Sequence, residues 1–484
     1  MFKKLAVGAL ALVISSLPLS GIAHAATVAT NLIPNPSFET SASGTTPDSW
    51  QTSSYNLGTG TAAFTYLNTG HTGSHSAEIQ INNYVSGDAN WYYADVPVTA
   101  GTTYQFQDWY QSDVNTEIDA EVVVNGIAQY VIVGTAFANT AWTQFSGTFT
   151  APAGATSMSL YHLIAHTGYL ITDDSSLAAY TPTPFTRGIV SVSFDDGWVN
   201  QLQNAEPVLL ANHIPATYNI IAGEMTTPDE AGYMTSAQVK GLYTDGNGNE
   251  IASHTVHHCD LTGVQTDNPA NCPIPISTAQ INSELQDSQT ILQNLIGAPV
   301  TDFAYPYGSY NAATIANAKQ YYTSQRSVIS GYNTKDNLDP TQLKIYEVDS
   351  NITTAQVQAW IDGAIQNKAW LILVYHEVAI TPSDPTDATY DTQPSDFATE
   401  MAYLKGTNVA TETVSQALKE VQSQATGVAK AGDINGDGVV DALDLSTLLS
   451  NWNKTGATAA QGDLNADGTV DALDLSTLLA NWSI

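Results

Sequence analysis

Between residues 27 and 180, apolar and polar positions alternate with a period of two in short runs. Ala62-Ala63-Phe64-Thr65-Tyr66, Thr103-Tyr104-Gln105-Phe106, Ala120-Glu121-Val122-Val123-Val124 and Ser157-Met158-Ser159-Leu160-Tyr161 are examples. Turn signals such as Asn125-Gly126 and Pro152-Ala153-Gly154 separate them. Short strands punctuated this way predict a β-sandwich. Beyond Gly188 the rhythm changes. Residues 189–194 read as a buried strand. Helical stretches at 200–211, 278–295 and 354–366 then alternate with apolar runs at 216–221 and 371–374. That alternation predicts an α/β sheet or barrel ending near Gln424. Thr181-Pro182-Thr183-Pro184 reads as a stiff linker between the two patterns.

Both ends of the chain carry further signals. Lys3 and Lys4 precede the short apolar run 5–14, and Ala23-His24-Ala25 follows as an A-x-A cleavage site. This predicts a secretory signal peptide cleaved after about Ala25. No later stretch reaches the ~18 consecutive apolar residues of a membrane span. At the other end an internal repeat appears. Asp433-Ile434-Asn435-Gly436-Asp437-Gly438 returns 30 residues later as Asp463-Leu464-Asn465-Ala466-Asp467-Gly468. The resulting plan is a signal peptide 1–25, a β-sandwich 26–180, linker 181–187, an α/β domain 188–424, linker 425–432 and a small helical domain 433–484.

Composition narrows the partners. Against 46 Asp+Glu stand only 13 Lys+Arg, a formal net charge of −33. Nucleic acid and anionic membrane surfaces require a basic footprint and are excluded as main partners. A neutral polymer, or cations held by the carboxylates, fits better, and 24 Tyr with 9 Trp suit sugars. Cys259 and Cys272, the two cysteines, lie 13 residues apart in one Pro/Asn-rich loop, and export predicts that they are bridged.

The tail repeats place oxygen ligands at loop positions 1, 3, 5, 9 and 12: Asp433, Asn435, Asp437, Asp441 and Asp444, then Asp463, Asn465, Asp467, Asp471 and Asp474. The carbonyls of Val439 and Thr469 supply position 7, and Gly438 and Gly468 allow the sharp turn. Two calcium ions are expected. Asp at position 12 and one helix per loop resemble a type I dockerin, which implies a cohesin-like partner. Ala442-Leu443 and Ala472-Leu473 replace the polar pair that often contacts cohesin, so calcium binding is better supported than cohesin recognition.

Four islands in the α/β region carry chemistry. Ser193-Phe194-Asp195-Asp196-Gly197 ends a buried strand, and adjacent buried carboxylates need a cation. In Ser253-His254-Thr255-Val256-His257-His258, residues His254 and His258 have the spacing of a two-His metal clamp on a helical turn. Phe303-Ala304-Tyr305-Pro306-Tyr307-Gly308 runs from strand into turn, and Leu371-Ile372-Leu373-Val374-Tyr375-His376 presents a histidine at a strand end. In this order the islands resemble the polysaccharide deacetylase (NodB-homology) family over roughly 187–424. The resemblance implies a distorted (β/α) barrel. It makes Asp195 the general base, His376 the general acid, and Asp196, His254 and His258 the ligands of one divalent transition metal (zinc, with cobalt or nickel as alternatives). It also implies that Tyr307 supplies an oxyanion N–H and that Tyr305 and Leu373 line the acetyl pocket. His257 matches no motif position. Many members carry Arg where Ala304 stands, so that charge is expected to be missing, and Arg326 and Asp349 are candidates to orient His376.

The opening Asn31-Leu32-Ile33-Pro34-Asn35-Pro36-Ser37-Phe38-Glu39, followed by Trp50, resembles jelly-roll carbohydrate-binding modules. Among Trp91, Tyr92, Tyr93, Trp109 and Tyr110, the period of two lets at most half face a sugar; Trp91, Tyr93 and Trp109 are the stacking candidates. The expected activity is an exported, metal-dependent deacetylase acting on N-acetylglucosamine units of an acetylated polysaccharide. An esterase of O-acetylated xylan with the same machinery is the alternative, and a non-catalytic carbohydrate-binding scaffold is the reading from another class.

Overall fold

The computed structural model describes residues 30–226, 232–265, 268–381 and 388–425. It also describes 432–482 except 433, 435–439, 441, 459–460, 465–467 and 481. The expected signal peptide and the loop ligands Asp433, Asn435, Asp437, Val439, Asp441, Asn465 and Asp467 lie outside the described residues. Among the described residues no helix is long and apolar enough to cross a membrane.

Strands within 50–179 form two antiparallel sheets, one of six strands and one of five, sharing one core. Thr103–Ser112 buries every second residue, as its alternation requires. The same parity corrects most of the aromatic expectation. Trp91 and Tyr93 are 4% and 1% exposed and sit between the sheets, and the Trp91 Nε1–H donates to Glu78 O at 3.1 Å. Tyr110 is buried too, its hydroxyl donating to Phe137 O at 2.7 Å. None of these rings can stack on a ligand. Trp109 faces outward, with the His71 ring stacked on it at 3.9 Å, and Trp142 lies 5.7 Å from that ring.

The second region is a closed parallel barrel. Strands Ile189–Phe194, Ala216–Ile220, Glu250–Ser253, Asp302–Ala304, Ser324–Ser330, Leu343–Glu347 and Trp370–Tyr375 are neighbours in that order. The last pairs back onto the first. The surrounding helices start on sequence signals: Thr235, Ser277 and Thr353 each form a capping box with a Gln three residues on. Outward-facing Val190, Val192, Phe194, Leu371, Leu373 and Tyr375 pack in one core with helix residues such as Leu209, Phe397 and Met401. This overturns the expectation for Leu373, because a wholly buried, outward-facing side chain cannot line a pocket at the strand ends. Inward positions Ile189, Leu343, Ile345, Trp370, Ile372 and Val374 are covered by Val414, Leu418 and Val421 of helix Val414–Ala425. The remaining inward positions are polar. The Trp370 Nε1–H donates to Ser191 Oγ, and Asn219 Nδ2 to Ser193 Oγ, both at 2.9 Å. A barrel filled at the start of its strands and polar at their ends leaves chemistry to the C-terminal face. Cys259 and Cys272 are bridged beside that face.

Glu400, on helix Pro394–Thr407, is 1% exposed and accepts from the Tyr375 hydroxyl at 2.9 Å. Burial pushes its carboxyl up to about 7, a Tyr375 hydrogen bond opposes this, and Asp396 adds to it. A raised folded-state value means that the folded protein holds a proton that the unfolded chain releases. This contribution to stability is therefore full below about 4.5 and is lost as pH rises through about 7, by about 3 kcal/mol at most. Glu400→Gln should match the wild type near pH 4.5 and exceed it above pH 7. Urea unfolding of the barrel at pH 5 and pH 8 measures the difference; an unchanged pH dependence would show that Glu400 stays ionised.

Candidate active site

Asp195 and Asp196 follow the strand Ile189–Phe194 and diverge at once, because Asp196 takes a left-handed backbone (φ 72). Asp195, 4% exposed, points into the barrel mouth. Its Oδ2 is ion-paired with Arg326 Nη2, and its Oδ1 accepts from Asn219 Nδ2 at 2.9 Å. Burial alone would raise this carboxyl. Arg326, His254 and His376, with the Asn219 bond, hold it below the ordinary carboxylate value. Arg326 therefore serves Asp195, not His376 as expected, and the charge missing at Ala304 is supplied after all.

Asp196 turns the other way. Its Oδ2 accepts from the Trp198 Nε1–H at 3.0 Å, while Oδ1 lies 3.5 Å from His254 Nε2 and 3.7 Å from His258 Nε2. The ligand atoms of these three residues all lie within 4.8 Å of one another. His254 donates from Nδ1 to Ala304 O at 2.9 Å, which fixes its tautomer and directs the Nε2 lone pair to Asp196. Burial pushes His254 down to about 4, so the ring is neutral at ordinary pH. Two neutral-capable imidazoles and one carboxylate oxygen on a shared point form a donor set that fits a divalent transition metal.

The helical turn expected for 254–258 is not formed. These residues make a turn with left-handed backbone at Thr255 (φ 65) and His258 (φ 57), which brings the two rings to 4.8 Å. Glu284 holds the turn from helix Thr278–Ile296: Oε2 accepts from Val256 N and His257 N at 2.9 Å, and Oε1 lies 2.7 Å from His257 Nδ1. His257 is thus a clamp for the ligand loop. Tyr307 is also left-handed (φ 58), its ring 4.5 Å from that of His258. Non-glycine residues in this region cost of order 1–3 kcal/mol each and gather where function fixes geometry.

His376 completes the mouth, Nε2 3.8 Å from Asp195 Oδ2 and Nδ1 3.8 Å from Glu347 Oε1. Three positioning groups escape the sequence reading. Glu347 ends the strand Leu343–Glu347. Gln201, wholly buried, donates to Asp195 O at 2.6 Å and His376 O at 2.9 Å, tying both strand ends together. Asn219 is the third. A carboxylate closing a barrel strand is a usable signal for Glu347; a lone Gln or Asn gives none. Tyr305 and Tyr307 both line the cavity above the site, which measures about 1400 Å³, and Leu373 does not. Asp349 lines it without reaching His376.

In the tail, helices Ala442–Ser450 and Ala472–Ala480 pack through Val440, Leu448, Val470 and Leu478. The two copies close alike: Asp444 Oδ1 accepts from Ile434 N and Asp474 Oδ1 from Leu464 N, each at 2.7 Å. Asp463 Oδ1 is buried with no hydrogen-bond partner among the described residues. An orphaned buried carboxylate oxygen of this kind fits a bound cation.

Two segments of the chain match known families. Residues 183–324 match the family model described as polysaccharide deacetylase, and residues 431–481 match that of the dockerin type I domain. YxkH of Bacillus subtilis (strain 168), whose name places it among polysaccharide deacetylases, is 29% identical over 131 residues, 27% of this chain and 41% of YxkH. A gellan lyase of Bacillus sp is 24% identical over 233 residues, 40% of this chain and 9% of that protein. The chain thus spans less than half the length of either relative. Among solved structures, the Xyl-CE4 domain of a multidomain xylanase from the hindgut metagenome of Trinervitermes trinervoides aligns with a TM-score of 0.35 and 17% identity. That alignment covers 49% of this chain and 92% of that domain. Carrying these motifs on a seven-stranded parallel barrel and a paired-loop tail, the chain contains a polysaccharide deacetylase domain at 183–324 and a type I dockerin domain at 431–481.

Proposed function

We propose that the protein is an exported, metal-dependent hydrolase that removes acetyl groups from N-acetylglucosamine units of a polysaccharide. The observation that carries this reading is the division of labour between adjacent aspartates. Asp195 is held ionised by Arg326, and Asp196 shares a point with two histidines. Asp196, His254 and His258 would hold the metal. When bound, the ion supplies a Lewis acid that polarises the acetyl carbonyl and acidifies water. The chain does the rest. Asp195 takes the proton of the attacking water as its oxygen bonds to the carbonyl carbon. The Tyr307 N–H, held in its left-handed turn, meets the developing negative oxygen. His376, with the Glu347 carboxylate behind its Nδ1, gives a proton to the departing nitrogen as the C–N bond breaks. Acetate and a free amine result. The Phe-Ala-Tyr-Pro-Tyr-Gly island supports N-acetylglucosamine over acetylated xylan.

The remaining modules extend this reading. The Met1–Ala25 segment supports export, and the tail supports two calcium ions in the loops beginning at Asp433 and Asp463. Exposed Leu449, Trp452, Leu473 and Leu479 give the tail an apolar surface suited to a cohesin-like protein partner. Trp109, with Trp142 and His71, remains the candidate sugar-stacking group of the sandwich.

Two tests follow. Asp196→Asn should lose bound metal. Asp195→Asn should keep metal while acetate release falls by ~10²–10⁴-fold, the usual cost of a general base. Metal analysis beside acetate release from acetylated glucosamine polymers and acetylated xylan decides both role and substrate. Equal metal loss in both variants would exchange or merge the assigned roles. For the tail, chelator should abolish hydrogen-exchange protection in helices Ala442–Ser450 and Ala472–Ala480 while leaving the barrel protected. Unchanged protection would remove calcium from the account.

A further inference from the structure

The cavity above the metal-ligand cluster does not stop at the barrel. It continues along helix Thr354–Asn367, about 21 Å at 1.5 Å per residue, and its far wall is the N-terminal sandwich. Gln129 and Tyr130 of strand Ile127–Ala136 line it there, facing Tyr346, Gln356, Trp360 and Asn367 of the barrel. The two modules are joined by specific contacts. Tyr180 bonds Asp336, Asn337 Nδ2 donates to Thr148 Oγ1 at 3.4 Å, and Lys344 Nζ donates to Thr148 O at 3.4 Å. The rings of Phe137 and Tyr310 lie 6.0 Å apart.

We infer that this composite cleft is a substrate groove for a long neutral glycan chain, and that the sandwich supplies its distal subsite through Tyr130. The inference rests on the deacetylase reading of the same site. Three observations favour this occupant. Tyr130 is 64% exposed and, unlike the equally open Tyr55, lines the cleft, so its ring is accessible to a bound chain. It stands directly opposite Glu121 on the paired strand. Opposite, Trp360 is already stacked on Tyr346 at 4.6 Å and 17°, a rigid aromatic floor beside side-chain amides that match sugar hydroxyls. The charged groups along the groove, Asp349 and Asp362, are anionic and disfavour uronate or phosphate polymers. A chain lying from the sandwich to His376 presents an interior unit to the metal-ligand cluster, so longer substrates make more contacts.

The experiment uses the full chain loaded with metal, on N-acetylglucosamine oligomers and acetylated xylo-oligomers of two to six units. Wild-type kcat/KM should rise with chain length. Tyr130→Ala should flatten that rise and lower the value on the longest oligomer by about 2- to 10-fold, the scale of one aromatic stacking contact. Tyr55→Ala, an exposed ring of the same sheet outside the cleft, should leave the rise intact. A Tyr130→Ala enzyme with undiminished chain-length dependence would overturn the groove. Should the wild type release no acetate from either series, the deacetylase reading fails instead. Calorimetry with the same hexamers then judges the cleft: weaker binding by Tyr130→Ala sustains it, and equal binding or none to the wild type overturns it.

Discussion

A carboxylate at 4% exposure stays ionised only beside a cation, and in this barrel that cation is Arg326. Everything at the mouth depends on the pair. It keeps Asp195 available as a proton acceptor, and it occupies Oδ2, so the aspartate is drawn toward the barrel wall. Asp196 then turns toward the histidines through its left-handed backbone. The register shows how the pair arises. Ala304 and Arg326 are direct neighbours on adjacent parallel strands. The guanidinium reaches the Asp195 carboxylate from the strand next to Ala304. Ala304 leaves room for this, and its carbonyl accepts from His254. One small residue thus adjoins Arg326 and anchors His254.

The loops around that pair are bent, and the bends are held by packing. Asp196, Thr255, His258 and Tyr307 all adopt left-handed backbone without being glycine. Single strained residues revert unless neighbours over-determine them. Here Trp198 bonds Asp196, Glu284 takes two backbone N–H groups and a histidine, and the Cys259–Cys272 bridge anchors the chain just past His258. Gln201 joins the first and last strand ends by their carbonyls. The Asp196, His254 and His258 side chains are therefore held together by the surrounding packing and hydrogen bonds.

Legibility followed burial parity and motif density. The buried strand 189–194, the helices at 278–295 and 354–366 and the four islands were all readable, because each rests on local pattern. Strand Ser324–Ser330 was not, since Ser-Gln-Arg-Ser is polar on the face that fills the barrel mouth and gives no hydrophobic signal. Arg326 was missed as the partner of Asp195 for the same reason. Its role depends on which strand lies next to which, a fact of topology. Leu373 shows the opposite error: the motif invited a pocket role, but alternation along Trp370–Tyr375 sends it to the helix layer. Trp91 and Tyr93 fail likewise, being on the inner face of their strand.

The docking of the sandwich follows from what the barrel leaves open. Its C-terminal face carries a row of strand-end side chains, and residues of helix Thr354–Asn367 and of the sandwich line one cavity beside them. Lys344, half-buried where the modules meet, donates to Thr148 O at 3.4 Å. The contacts between the modules join surfaces of both into one cleft of about 1400 Å³. The reacting centre itself needs only a carbonyl, a water and a proton donor within a few ångströms. Discrimination among acetylated molecules must therefore come from the parts of the substrate that do not react. The wall opposite the barrel is the place in this chain where such binding energy can be added without disturbing Asp195 and its arginine.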